Sequence, residues 1–305
     1  MRIANIRTGP EERAVLVLGD QVVDAATAAL RAGWSEADAA RAGSTLWLVG
    51  QAGGRLRELH GVAADAIDEL RDAGAVEQLE VARLAPPITR PQKIVCIGLN
   101  YRDHAQEVGA QIPSAPMFFA KFANSLSGPV DDIVPPIDTT QVDYEAELAV
   151  VIGQAGRYIG ADRALGHVAA LMAFNDVSAR DLQRANNLWT GGKAIDTFAP
   201  CGPWMVTSDE FADVQSIGLR TRVNGVTVQD GTTAEMIFAV ADLIAFLSRI
   251  MTLEPGDIIA TGTPAGVRRA HGPDSYLQPG DVVEVEVDGI GVLSNRFVSA
   301  QSPSL

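Results

Sequence analysis

"DYEAELAVVIG", Asp143 to Gly153, is the stretch on which the reading of this chain turns. Its second half, Leu148 to Ile152, is an uninterrupted apolar run, as in a buried strand. Its first half sets Asp143, Glu145 and Glu147 at alternate positions. Side chains of a strand alternate between faces, so one strand over 143–153 sets all three acids on one face, in line with Ala149 and Val151. Two glutamates at i and i+2 project in parallel, with Cβ atoms about 6.5–7 Å apart. That spacing suits two carboxylates converging on one cation. With no cation between them, burial and mutual repulsion raise their pKa values. Oxygen-only ligands point to Mg2+, Mn2+ or Ca2+ rather than zinc. The plain alternative is a strand whose acidic end faces water, and the spacing leaves both open.

A third carboxylate shifts the balance. In "LMAFNDVSARDLQ" (171–183) an apolar strand ends at Phe174, and Asn175 and Asp176 follow. Ser178 and Asp181 have the spacing of a capping-box variant, which predicts a helix opening there. Asp176 then stands at a strand-to-helix junction, and Arg180 and Gln183 share one helix face. Downstream, Lys193 follows a Gly-Gly pair in a predicted loop.

Composition narrows the class. The chain has 305 residues, 47% of them hydrophobic and 20% charged, which fits a globular protein with a large core. The net charge of −14 disfavours nucleic acid as a partner. It also means that an anionic substrate needs a local positive feature. No run approaches the ~18 apolar residues of a membrane span, and the first residues lack a leader-like pattern. A cytoplasmic protein without membrane contact is expected. Cys96 and Cys201 are isolated and read as small buried thiols.

Outward from the opening stretch, residues 1–88 read as a small N-terminal α/β domain. "RIANIR", "AVLVLGD" and "QVVDAA" are short strands. Ser35-x-x-Asp38 opens a helix, and "GVAADAIDELRDAGAVEQL" (61–79) reads as a second one. "LAPPITRPQ" (84–92), with three prolines, marks the boundary to a strand-rich unit over 89–305. That unit opens with the buried strand "KIVCIGLNY". It carries a helix over "MIFAVADLIAFLSRIMTLEPG" (236–256) that is apolar around most of its circumference. It closes in a hairpin turning at Asp288-Gly289. Pro-Gly-Asp turns at 255–257 and 279–281 each lead into a strand.

Six segments in order, "GLNYRDHAQE", "PMFFAKFANSLSGP", "DYEAELAVVIG", "FNDVSARDLQ", "GGKAIDTFAPCGPW" and "GDIIATGTPAGV", resemble the fumarylacetoacetate hydrolase family, and among its members the acylpyruvase-like branch. The resemblance spans residues 90 to 300. It implies an α+β fold, a mixed β-roll or sandwich preceded by the smaller N-terminal domain, and a homodimer. By position, it implies that Glu145, Glu147 and Asp176 ligate Mg2+ or Mn2+ (Ca2+ as a further option). Lys193 matches the active-site lysine, Arg180 and Gln183 face the substrate, and Thr263 holds a substrate carboxylate. His104 and Glu107 match a His-x-x-Glu pair whose flanking segment is a mobile lid. Some members carry a further acidic ligand before that histidine. Here the region reads "VCIGLN", so three protein carboxylates with water are expected.

The chemistry so implied is cleavage of a C–C bond in an acylpyruvate or related 2,4-dioxo acid. The substrate is a small anionic 2-oxo acid, and a metal-stabilised pyruvate enolate leaves. His104 would activate water as general base, oriented by Glu107, while Lys193 and Gln183 would receive developing charge. Two other readings stay open. One is a decarboxylase, isomerase or hydratase acting on oxaloacetate or on an aromatic-catabolic or sugar-acid intermediate. The other is a non-catalytic metal-binding or interaction protein. Asp143 is expected to be structural or to support the ligands. Lys121 is expected to reach substrate or to pair with an acid. His60, His167 and His271 are expected to be structural.

Overall fold

The computed structural model describes residues 1–51, 54–185, 188–268 and 275–300. The chain opens as a meander: β1 (Arg2–Thr8), β2 (Glu11–Leu18) and β3 (Gln21–Asp24), turning at Gly9 and Gly19, both at positive φ. Five helices follow: α1 (Ala25–Arg31), α2 (Glu36–Ala42), α3 (Thr45–Val49), α4 (Gly54–Asp65) and α5 (Ile67–Asp72). Asp24, Ser35 and Ser44 cap the first three by accepting backbone N–H groups. The helix expected over 61–79 starts earlier, at Gly54, and is interrupted at Ala66. Beyond Gly74, at φ +74, the chain reverses into β4 (Val76–Gln78), which pairs with β3.

After β5 (Leu84–Ala85) come β6 (Ile94–Gly98), α6 (Arg102–Glu107), β7 (Met117–Lys121) and β8 (Leu126–Ser127). The central stretch forms β9 (Val142–Asp143), β10 (Ala146–Ile152), α7 (Ala161–Ala164), β11 (Val168–Asn175), β12 (Ser178–Ala179), α8 (Arg180–Arg184), α9 (Thr190–Lys193) and β13 (Ala199–Thr207). The remainder is β14 (Gly218–Val223), β15 (Val226–Thr232), α10 (Val240–Ile250), β16 (Ile258–Ala260), β17 (Val282–Val287) and β18 (Gly291–Arg296).

One open mixed sheet runs in the order β4-β3-β2-β1-β13-β11-β10-β16-β6-β7, with β5 beside β1 and β8 beside β13. Within it β16 and β6 are parallel, as are β13 and β8. A second sheet, β15-β14-β17-β18, is antiparallel and holds the expected hairpin at Asp288-Gly289. Alternation along β10 sorts the layers. Leu148, Val150 and Ile152 pack with Val283 and Val285 of the second sheet and with Leu243 and Leu247 of α10. Ala149 and Val151 face the other way, toward Ala28, Leu48, Leu56 and Leu59 of the N-terminal helices. Both cysteines are free and buried in that second core. The result is the expected α+β sandwich, with the large sheet between helices and the small sheet.

One expectation needs correction. The helix over 236–256 is limited to α10, because Asn100 takes the Ile237 and Phe238 N–H groups and holds those residues outside it. It is also amphipathic: Val240, Leu243, Ile244 and Leu247 are buried, whereas Ile250 is 49% exposed. The division at residue 88 remains a proposal from sequence, for the hydrogen-bonded sheet is continuous across it, with Ile3 of β1 opposite Met205 of β13. Among the described residues no helix is long and apolar enough to cross a membrane.

Candidate active site

The antiparallel ladder of β10 and β11 builds the acidic cluster. Ala146 lies opposite Asn175 and Glu147 opposite Phe174. One residue further, the Asp176 N–H donates to the Glu145 carbonyl at 2.9 Å. Register thus carries Asp176 to the two glutamates. One carboxylate oxygen from each of the three buried residues lies within 4.8 Å of the others. The unbroken strand expected over 143–153 is not formed: β9 stops at Asp143 and β10 starts at Ala146. Between them Glu145 N–H donates to the Asn175 side chain at 3.0 Å, and Tyr144 N–H to Asp143 Oδ1 at 2.9 Å. Asp143 leaves the row and instead accepts from Arg180 Nε and the Arg268 N–H, each at 2.9 Å.

Three buried cations face these acids. Arg180 donates to Glu145 at 2.6 Å and to the Gln183 side-chain oxygen at 3.1 Å. Lys193 bridges Glu145 and Asp176 at 2.6 and 2.7 Å. Lys121 donates to the other Asp176 oxygen at 2.6 Å and to the carbonyls of Val177 and Phe198. Burial by itself would raise the Glu145 pKa, but the Arg180 and Lys193 charges outweigh it and hold that carboxyl below its usual range. Burial opposes the Lys193 charge too, yet Asp176 and Glu145 keep its pKa above the ordinary value. For Lys121 burial prevails and the pKa falls.

Glu147 stands apart. It accepts the Gly262 N–H at 2.9 Å and forms no salt bridge among the described residues. Burial, then repulsion by Asp176 and Glu145, push its carboxyl well above the usual range. Asp143, Glu145, Glu147 and Asp176 are four buried carboxylates, set against the cations Arg180, Lys193 and Lys121. A donor set of three converging carboxylates, all oxygen ligands, fits a hard divalent ion, whose charge would favour the ionised form of Glu147.

Packing places the cations in ways the sequence pattern misread. Ser178 is not a helix cap, for its hydroxyl donates to the Asp176 carbonyl at 2.9 Å and α8 starts after Ala179 without a side-chain cap. Asp181 instead accepts from Thr139 and Thr140. Lys193 ends the short helix α9 rather than lying in a loop. Gly192 lets that helix abut α8: a Cβ there would stand 2.5 Å from the Gln183 nitrogen. Lys121, left undecided by sequence, turns inward at the end of β7. A lone lysine in the apolar run "FFAKFA" was the available signal.

Helix α6 brings the remaining pair. His104 Nδ1 lies 3.2 Å from Glu107 Oε2, and both are at least partly buried. Glu107 Oε1 accepts the Gly266 N–H at 2.8 Å, and Asp103 accepts the Ala265 N–H at 3.2 Å. Thr263 accepts from the Gln229 side chain at 2.9 Å. A cavity of about 30 Å3 gathers His104, Glu145, Glu147, Arg180, Gln183, Lys193 and Thr263. Glu107 stands behind His104, and Asp176 behind the Lys193 ammonium. Ile97, Phe119 and Trp189, which sequence reading missed, supply its apolar wall. His60 and His167 lie elsewhere, lining other clefts, and His271 falls outside the described residues.

Residues 93–298, which hold every group of the acidic cluster and of the cavity, match the family model described as fumarylacetoacetate (FAA) hydrolase C-terminal. The chain belongs to the fumarylacetoacetate hydrolase family. Among its relatives is the oxaloacetate tautomerase FAHD2A, mitochondrial, of Homo sapiens, 47% identical over 221 residues, 72% of this chain and 70% of that protein. Another is the 2,4-didehydro-3-deoxy-L-rhamnonate hydrolase of Sphingomonas sp. (strain SKA58), 43% identical over 249 residues, 79% of this chain and 87% of that protein. A maleylpyruvate hydrolase from Sphingobium sp. SYK-6, solved with manganese(II) and pyruvate, superimposes with a TM-score of 0.75. It is 29% identical and covers 99% of this chain and 100% of that one. These members of the family act on oxo acids, by tautomerisation in one case and hydrolysis in the others.

Proposed function

We propose that this protein is a divalent-metal-dependent hydrolase that cleaves a C–C bond in an acylpyruvate or related 2,4-dioxo acid. The observation that carries the reading is the His104–Glu107 pair lining, and backing, the same cavity as the acidic cluster. Glu145, Glu147 and Asp176 would hold Mg2+ or Mn2+, which supplies Lewis-acid stabilisation of negative charge on the substrate. Arg180, Gln183 and Thr263 bind and orient the oxo acid. Glu107 fixes the proton of His104 on Nδ1, leaving Nε2 to take a proton from water as its oxygen bonds to the distal carbonyl carbon. The C–C bond then breaks, and the pyruvate carbon takes up a proton. Lys193 stabilises charge on the attacked oxygen. A homodimer located in the cytoplasm completes the proposal.

A second reading has its own support, the 47% identity to an oxaloacetate tautomerase. Tautomerisation needs the same residues only to move a proton between carbon and oxygen. The Mg2+- or Mn2+-loaded protein should be assayed with acetylpyruvate and with oxaloacetate, and the products identified. Pyruvate and acetate from acetylpyruvate are the expected result. Enol–keto interconversion of oxaloacetate with no cleavage of any acylpyruvate would replace the hydrolase reading by the tautomerase one.

A further inference from the structure

We propose that the substrate carries an apolar acyl tail, aliphatic or aryl, which lies in a groove beside the catalytic cavity with Phe119 and Trp189 as the shared wall. The inference rests on the 2-oxo-acid reading of the site and names the class of acid it takes.

The first observation is size. The cavity, about 30 Å3, is far smaller than the roughly 300–1,000 Å3 of a ligand pocket. An acyl extension on a 2-oxo acid therefore reaches beyond it. The second is direction. The cavity's charged groups hold the carboxylate and oxo oxygens, so the tail must leave past the apolar wall. Phe119 and Trp189 pack edge to face in that wall, with centroids 5.5 Å apart. Gly98 lets the Trp189 ring lie against the end of β6, since a Cβ there would stand 2.5 Å from it.

The third observation is what lies beyond. The same two rings bound a groove of about 520 Å3, completed by Pro116, Met117, Phe118, Leu188 and Thr190. None of these residues is charged. Phe118 is 40% exposed and Leu188 75%. Large apolar side chains left in solvent at an edge strand and beside an active cavity mark a binding surface. A second carboxylate at the far end of the substrate finds no charged partner among the described residues that line this groove.

The test is binding, which needs no turnover. Dissociation constants for the Mn2+-loaded protein should be measured by calorimetry with pyruvate, oxaloacetate, 2-oxooctanoate and 2-oxo-4-phenylbutanoate. One or both long acids should bind at least about 10-fold tighter than pyruvate, with no comparable gain for oxaloacetate, and the two arms tell an aliphatic from an aryl tail. Leu188→Asp and Phe118→Asp, both at exposed positions, should each bring the long-acid to pyruvate ratio down by about 10-fold. Equal affinities, absence of binding by every acid, or a ratio unmoved in both variants would overturn the groove. Loss of the hydrolase reading with the ratio intact would leave the groove standing. Acylpyruvate hydrolysis with a ratio near one would remove the groove and leave the hydrolase.

Discussion

The acidic cluster and the His104–Glu107 pair serve one cavity but are held by different means. The cluster grows out of the central ladder. Glu147 belongs to β10, Asp176 follows β11 directly, and each carboxylate oxygen of Asp176 meets a buried ammonium. The histidine pair rides on a helix of six residues, tied by Asp103 and Glu107 to the backbone of residues 265 and 266. The cluster is preorganised by sheet register and by buried charges that pair with one another. The pair depends on two backbone hydrogen bonds, each worth about 1.5–3 kcal/mol when the acceptor is charged. Charge binding is therefore built into the sheet, whereas the proton-transfer geometry is set by a small separable element.

Breaking the cluster should have the largest effect. Asp176→Ala leaves Lys121 buried beside two carbonyls only, and should cost about 3–5 kcal/mol of stability. Urea melts measure this, and calorimetry with Mn2+ should show metal binding abolished. Unchanged titrations would remove Asp176 from the proposed ligand set. Breaking the pair should spare the fold: His104→Ala should lower kcat on acylpyruvate by roughly 10²–10⁴-fold while Mn2+ still binds. Full turnover by this variant would end the general-base role.

Smaller changes sharpen the contrast. Gly192→Ala thrusts a methyl against the backbone of Gln183 and Ala179, which cannot rotate away. It should cost about 1–3 kcal/mol and, by displacing Lys193, depress activity as well. Wild-type stability and activity in that variant would show that α8 and α9 are not in fixed contact. The smallest effect is expected at Asp181. Burial raises its pKa, but the Thr139 hydroxyl and the Thr140 and Leu182 N–H groups outweigh it and hold it below the ordinary value. Its stabilisation is therefore full above the ordinary carboxylate range and fades as pH falls through the lowered folded value. Asp181→Asn should be less stable than wild type by under about 1 kcal/mol at pH 7, and the gap should close as pH falls below the ordinary carboxylate range. A gap that persists in acid would assign the effect to packing instead.

The candidate site was legible where residue type and local spacing suffice. Glu145 and Glu147 two apart on a strand, Asp176 after an apolar run, and Arg180 with Gln183 three apart on a helix were all read locally, and the structure brings them together. Lys121 was read as reaching substrate or pairing with an acid, and Asp176 could not be named as that acid because the two are 55 residues apart in sequence. Phe119 was passed over since an aromatic residue in an apolar segment reads as core, and Trp189 since its polar, glycine-containing stretch carries no local pattern that points to a site. Ser178 was misassigned because a capping spacing states which bond a serine could make, and tertiary contact offered it the Asp176 carbonyl instead.

By itself the sequence determined the family, the alternating layers of the β10 strand and the residue types that gather at the site, because these follow from local periodicity and ordered motifs. Tertiary structure alone decided the rest. It broke the acidic row at Tyr144 and Glu145, sending Asp143 to Arg180, and left Glu147 with no salt bridge among the described residues. It also ran the N-terminal strands into the same sheet as the catalytic ones. Both outcomes depend on which distant backbone and side-chain groups satisfy one another's hydrogen bonds once buried, and no local pattern encodes that choice.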